Sequence, residues 1–292
     1  MHILLFGKNG QLGFELNRSL LPLGKISAFD KEDLDLSNLA AVENTILGLQ
    51  PDIIINASAY TAVDRAESEP ELAFQINAYA PEIMAKSAKK IGAALIHFST
   101  DYVFDGTKEI PYQESDSPNP LNVYGKSKLD GENTILAANA IALIFRTSWV
   151  YSLRGDSFVT KTLSWARQQD TLRIVEDQIG SPTWARQLAE TITTILARAG
   201  DKPLEYVSTR RGLYHLAGKG IVSRIDFARM VLALDPKPIE QKCREIMPAR
   251  THDFSSPAER PLFTSLNCSK FEASFNLIIP DWQKNLQLAM AV

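Results

Sequence analysis

Five short apolar runs bounded by turn residues, Ile3–Phe6, Ile26–Phe29, Asp52–Asn56, Ala93–Ser99 and Ile141–Thr147, alternate with segments of helical periodicity at Leu12–Leu21, Leu39–Leu49, Leu72–Lys90 and Lys126–Asn139. Few folds accept that order. Strands separated by helix-length connections pair in parallel, and the crossover helices then cover both faces of the sheet. The expectation is an α/β fold, a doubly wound parallel sheet of the Rossmann-like kind. With 292 residues, 45% of them hydrophobic, the chain can fill more than one core. Beyond residue 150, Pro182, Pro203, Pro236, Pro238, Pro248, Pro257, Pro261 and Pro280 break up the pattern. Residues 1–150 are therefore expected to form the doubly wound domain. Residues 151–292 should be mainly a smaller mixed α/β lobe, with the chain returning to the first domain around 170–200. No internal repeat or low-complexity tract is visible.

Composition removes several classes of function. The net charge is −3, from 31 basic and 34 acidic residues spread along the chain, so no polyanion-binding face and no nucleic-acid partner is expected. Cys243 and Cys268 lie in unrelated segments, which fits a reducing compartment rather than a disulfide framework or a zinc site. The opening Met1–Phe6 is too short for a signal-peptide core and leads directly into glycines. Apolar runs such as Ala140–Phe145 fall far below the roughly 20 residues that span a bilayer. A soluble, cytoplasmic protein with no membrane partner is the expectation. His2, His97, His215 and His252 have no metal-ligand spacing and read as structural.

Between the first strand and the first helix runs Gly7-Lys8-Asn9-Gly10-Gln11-Leu12-Gly13, a Gly-x-x-Gly-x-x-Gly turn. A dinucleotide pyrophosphate needs backbone N–H groups at a helix N-terminus, and a Cβ there would obstruct its approach. The competing account is a tight strand-to-helix turn with no ligand. Asp30 follows the second strand, seventeen residues after Gly13, where an acid can take the adenosine ribose hydroxyls and favour NADH. Lys8 and Lys31 suit a 2′-phosphate equally, leaving NADPH open, and a solvated turn aspartate is the bland alternative. Asp35-Leu36-Ser37 also reads as a helix cap.

Tyr124 and Lys128 are four residues apart at the start of a predicted helix and share one face. Reducing a ketone requires a proton for its oxygen, and a free tyrosine, with a pKa of about 10, is a sluggish source. A nearby ammonium favours the phenolate, and the same lysine can hold a nicotinamide ribose. Alone, such a pair is usually a surface pair. Ser99-Thr100-Asp101 closes a predicted strand at the carboxyl edge of the sheet, where ligands of this fold collect. Thr100 is the third catalytic candidate and Ser99 the weaker one; a loop-capping hydroxyl is the alternative for each.

These segments, with Asn56–Asp64, Ser99–Gly106, Arg146–Tyr151 and Asp177–Thr183, make nearly the whole chain resemble the dTDP-4-dehydrorhamnose reductases. The resemblance implies reduction of the C4 ketone of dTDP-4-dehydro-L-rhamnose by NAD(P)H, giving dTDP-L-rhamnose for cell-surface polysaccharide. It makes Tyr124 the proton donor, Lys128 its tuner and Thr100 the ketone's hydrogen-bond partner. It places Gly7, Asn9, Gly10, Gln11, Leu12, Gly13, Asp30, Asp35, Leu36, Ala57, Ala59, Tyr60 and Thr61 along the cofactor. Asp101, Tyr102 and Trp149 fall on the substrate side, with a core role as the alternative for Trp149. Related enzymes often have His where this chain has Tyr60. Some members dimerise around Mg²⁺ held by carboxylates, one of them just after a tryptophan near the C-terminus. Here Trp282 is followed by neutral Gln283, a poorer ligand for a hard cation, which leaves Glu15 and Glu190 and puts the metal in doubt. Both monomer and homodimer remain open.

Two other readings share these motifs. A sugar-nucleotide epimerase or dehydratase would carry the same turn and Tyr/Lys pair, but dehydratases add acidic residues beside the threonine, and Asp101 is followed by Tyr102. A non-catalytic regulatory subunit of the methionine adenosyltransferase β type has this fold too. Trp149 argues for the reductase, since an aliphatic residue is expected there in the regulator.

Overall fold

The computed structural model describes residues 1–291; Val292, the last residue of the expected second lobe, lies outside the described residues. Six parallel strands form the central sheet: β1 (His2–Phe6), β2 (Lys25–Phe29), β3 (Ile53–Asn56), β4 (Ala94–Thr100), β5 (Ile141–Thr147) and β6 (Gly212–His215), in the order β6-β5-β4-β3-β1-β2. Every residue of β3 and β4 is buried, which explains why these strands read as continuous apolar runs instead of alternating ones.

Helices close both faces. On one side α1 (Gln11–Ser19) and α5 (Ala185–Ala199) pack with Leu16, Ile192 and Ile195 over Ile3, Ile55 and Ile96. On the other, α2 (Leu39–Leu49), α3 (Ala80–Ile91) and α4 (Val123–Ala137) bring Val42, Ile46, Met84 and Ile135 against Leu4, Ile54 and Leu95. α5 and β6, within residues 185–215, pack on this sheet and extend it. Other segments, including α6 (Arg224–Ala233) and α7 (Trp282–Met290), form separate apolar clusters around Phe227 and Trp282 and around Leu172 and Ile225, while Phe271 and Phe275 pack into the core of the sheet.

The predicted helix Leu72–Lys90 is not continuous. A short helix, Pro70–Phe74, leads into a π-helical turn at Gln75–Tyr79 before α3. That wider turn presents Asn77, whose Oδ1 accepts the Tyr60 N–H (2.8 Å) and whose Nδ2 donates to Tyr60 O (3.1 Å) and Ser127 Oγ (3.0 Å). The loop after β3 is thereby tied to α4.

α4 begins at Asn122, whose side chain accepts the Gly125 N–H at 2.8 Å and caps the helix. Further along, Glu132 accepts two bonds from Arg146 of β5, at 2.9 and 2.6 Å, and one from the Ser99 hydroxyl of β4 at 2.5 Å. The side chains of this ion pair are 1% and 4% exposed, so each charge depends on the other for solvation. Glu132→Ala should lower unfolding free energy by about 3–5 kcal/mol, the scale for an orphaned buried charge. Chemical denaturation measures it, and a loss below about 1 kcal/mol would remove the pair from this anchoring role.

Candidate active site

The carboxyl ends of β1 to β5 open onto a cavity of about 560 Å³. Its lining joins the glycine turn, the end of β2, the loop after β3, the end of β4, α4 and the segment after β5. Of the residues singled out in the sequence, Gly7, Gly10, Gln11, Leu12, Asp30, Asp35, Leu36, Ala57, Ala59, Thr61, Thr100, Asp101, Tyr124, Lys128 and Trp149 line it. Asn9, Gly13, Tyr60 and Tyr102 are not among the lining residues. The Asn9 N–H donates to Asp30 Oδ2 (2.7 Å), and the Tyr60 hydroxyl donates to Glu69 (2.6 Å). Tyr102 packs its ring edgewise on Tyr124, with centroids 5.8 Å apart.

The three glycines do different jobs. Gly7 has φ +87°, and a Cβ on Gly13 would lie 1.8 Å from the Gly7 carbonyl oxygen, so the turn itself requires both. Gly10 is different. Its φ is −67°, and a Cβ there would meet only ordinary contact at 3.4 Å, yet it caps α1 at the cavity wall with no side-chain cap. Packing within the chain gives no reason for glycine at this position; close approach of a ligand to the helix N-terminus does. Gln11 Oε1 and Thr147 Oγ1, both from lining residues, are buried without a hydrogen-bond partner. The cradle therefore fits a dinucleotide.

Lys8 is taken up by Asp33 (2.6 Å), while the carboxylate of Asp30 accepts the Asn9 and Lys31 N–H groups. The cavity wall beyond β2 thus carries Asp30, Asp35 and Lys31, while Lys8, which does not line it, is already paired.

At the other end, Thr100, Tyr124 and Lys128 line the cavity. The Thr100 hydroxyl donates to Asp101 Oδ1 (3.1 Å) and accepts the Tyr102 N–H (3.2 Å). Burial pushes the Tyr124 phenol well above its ordinary range, and a hydrogen bond with Thr100 pulls it partly back. Lys128 lines the cavity on the same helix as Tyr124. Its own ammonium is pulled down to about 8 by burial, against the charge of Glu132. Nζ donates to the Phe98 carbonyl at 2.7 Å. Ser99 spends its hydroxyl on Glu132, which removes it as an alternative to Thr100. Burial raises the Asp101 carboxyl, while hydroxyls of Thr264, Ser148 and Thr100 oppose the rise.

Sequence reasoning did not single out Arg224, Arg260 or Gly180. Trp149 has φ +44°, a left-handed backbone that strains a bulky residue by about 1–3 kcal/mol. Gly180 makes room for its ring, since a Cβ there would come within 2.5 Å of it, and the Arg224 guanidinium stacks over the ring at 3.4 Å. Arg224 forms no ion pair among the described residues. Arg260 pairs with Asp64 at 2.7 Å, and both arginines act on Tyr102. The motif Asp177–Thr183 carried the only sequence trace of this corner.

The metal candidates do not fit a resident cation within one chain. Glu15 lies between Arg186 (3.2 Å) and Arg18 (3.8 Å), Glu190 is exposed, and no cluster of three or more metal-binding side chains occurs among the described residues.

Comparison with known proteins gives a consistent match. The family model "RmlD substrate binding domain" matches residues 1–292. A dTDP-4-dehydrorhamnose reductase of Salmonella typhimurium is 44% identical over 288 residues, 97% of this chain and 95% of that protein. The crystal structure of a dTDP-4-dehydrorhamnose reductase from Clostridium acetobutylicum superposes with a TM-score of 0.89 at 35% identity, covering 99% of this chain and 98% of the other. The corresponding protein of Bacillus anthracis, solved in complex with NADP, gives 0.88 at 32% identity, covering 98% and 97%.

Gly10→Ala should leave thermal stability within about 1 kcal/mol of the parent, as expected at a helix N-cap, while weakening NADH binding at least tenfold. Fluorescence titration and a melting curve test both halves, and unaltered affinity would return the turn to a purely structural role.

Proposed function

Because this chain belongs to the RmlD substrate binding family, that of the dTDP-4-dehydrorhamnose reductases, we infer that it reduces the C4 ketone of dTDP-4-dehydro-L-rhamnose to give dTDP-L-rhamnose, a precursor of cell-surface polysaccharide. The observation that carries this reading is the convergence of Thr100, Tyr124 and Lys128 on the cavity that the glycine turn also lines. A regulatory subunit would not need that convergence. Nicotinamide supplies the hydride when bound. The glycine turn with Gln11 and Leu12 would hold the pyrophosphate, Asp30 the adenosine ribose, Asp35 and Leu36 the adenine side, Ala57, Ala59 and Thr61 the stretch between, and Lys128 the second ribose.

Tyr124 holds the proton. A phenol raised by burial stays protonated across the neutral range, the form in which it can protonate an alkoxide as charge develops on the ketone oxygen. Thr100 keeps the phenol in place and offers its own hydroxyl to that oxygen in competition with Asp101. Trp149, backed by Arg224 and Gly180, forms an apolar wall for the sugar ring. We assign the part of the chain that carries α6 and α7 to the sugar nucleotide, with Arg224 and Arg260 facing its diphosphate. Arg224 suits an anion because it has no carboxylate partner among the described residues, and burial lowers it only to about 10, so it stays charged.

Supplied with the 4-keto-6-deoxy sugar nucleotide by coupled dehydratase and epimerase, the purified protein should oxidise NADH with a higher kcat/KM than NADPH, since Asp30 repels a 2′-phosphate and Lys8 is already paired. A flat absorbance trace at 340 nm with active upstream enzymes would defeat the assignment. Tyr124→Phe should keep its affinity for NADH and lose about 10² or more in turnover, as expected for a positioned acid. Near-parental turnover would take the proton-donor role away from Tyr124.

A further inference from the structure

One buried hydroxyl of the cavity is unused by the reduction as described. Thr147 ends β5 and is paired in register with Thr100 at the end of β4. It is 8% exposed and lines the cavity, yet its Oγ1 is buried with no hydrogen-bond partner among the described residues. The other hydroxyls at these strand ends are taken. Ser99 donates to Glu132, Thr100 to Asp101 at 3.1 Å and Ser148 to Asp101 at 2.7 Å.

Folding gives no reason for this hydroxyl. Burying an unbonded O–H costs free energy, while valine has the same shape, suits a strand and matches the apolar Ile141–Phe145 run before it. No bond holds Oγ1 in its rotamer, so a turn about χ1 that exchanges hydroxyl and methyl breaks none.

The sheet order decides which part of a dinucleotide arrives there. Asp30 follows β2, the glycine turn follows β1, Ala57 and Ala59 follow β3, and Lys128 donates to the Phe98 carbonyl of β4 at 2.7 Å. A dinucleotide with its adenosine at β2, its pyrophosphate at β1 and its second ribose at Lys128 therefore ends over β4 and β5, strands about 4.8 Å apart. Phe98 and Val150 line that end together with Thr147. Apolar walls with one free hydroxyl suit a flat ring carrying a single amide; a sugar ring edged with hydroxyls needs more partners.

We propose that Thr147 is a binding residue for the cofactor, its hydroxyl taking the carboxamide of the nicotinamide and so fixing the rotation of the ring beside Thr100 and Tyr124. The proposal rests on the dinucleotide assignment above. A threonine hydroxyl can donate to the amide oxygen or accept from the amide nitrogen, so either half of the carboxamide can be its partner.

Calorimetric titration of the free protein tests it with three reduced cofactors: NADH, the 3-acetylpyridine analogue, which lacks the amide nitrogen, and the thionicotinamide analogue, whose sulfur is a weak acceptor. The parent should bind NADH about three- to tenfold more tightly than at least one analogue, the range for a single neutral hydrogen bond. Thr147→Val should weaken NADH by the same factor and lose the preference, while Thr147→Ser keeps both. Since the hydroxyl bonds nothing in the free protein, Thr147→Val should melt at or above the parental temperature. A parent with no preference for NADH over either analogue overturns the proposal without any variant. So does a Thr147→Val protein that keeps the preference, or one whose free form melts several degrees lower. A preference that survives while KM for the sugar nucleotide rises overturns it too, and gives the hydroxyl to the sugar. These titrations need no turnover, so a chain that reduces no sugar nucleotide yet shows the expected preferences would sink the reductase reading and leave the Thr147 assignment standing.

Discussion

The site depends on the buried contact of Glu132 with Arg146 and Ser99. Tyr124, Lys128 and Glu132 follow one another at intervals of four, so they form a single stripe along α4. The last of the three clamps the helix to β4 and β5, and the other two are thereby placed over the carboxyl edge of the same strands. A surface ion pair could not do this, because water and side-chain entropy would let it slide. In the buried form, two parallel N–H···O bonds from a planar guanidinium fix both distance and orientation.

A second constraint is stored in the backbone after β5. Trp149 is held at positive φ, and such a conformation persists only when the surroundings enforce it. Here Gly180 lies against the ring from one segment and Arg224 covers it from another. Both segments follow Trp149 by about thirty residues or more, so the shape of the cavity wall beside the catalytic trio is set by how that later part of the chain folds. A substitution distant in sequence, at Gly180, would reach the site through this contact.

The doubly wound sheet was legible because its strands are buried on both sides and its helices are long enough to show their period. Strand ends came within a residue or two: Ala93–Ser99 was expected where β4 runs Ala94–Thr100. That offset matters, since it puts Thr100 on the strand and Ser99, one residue earlier, on the face that meets Glu132. What the sequence concealed is tertiary in origin. The π-helical turn at Gln75–Tyr79 has no local signature and is recognised only by the partners Asn77 finds. Two-residue strands such as Ile179–Gly180 and Thr183–Trp184 exist only through pairing with distant segments. Asn9, Tyr60 and Tyr102 carry family motifs yet do not line the cavity, which spacing cannot reveal.

The titrating groups of the site share a logic that burial imposes. Low dielectric surroundings drive the phenol of Tyr124 and the carboxyl of Asp101 up and the ammonium of Lys128 down, so each is pushed toward its neutral form. A cavity arranged in this way resists charge until a ligand brings some. The charges of Glu132 and Arg146 solvate each other at the far end of the same stripe. Anchoring and proton transfer are thus separated along one helix: the fixed charges hold the frame, and the groups ahead of them, shifted toward neutrality by burial, handle the proton as the ketone is reduced.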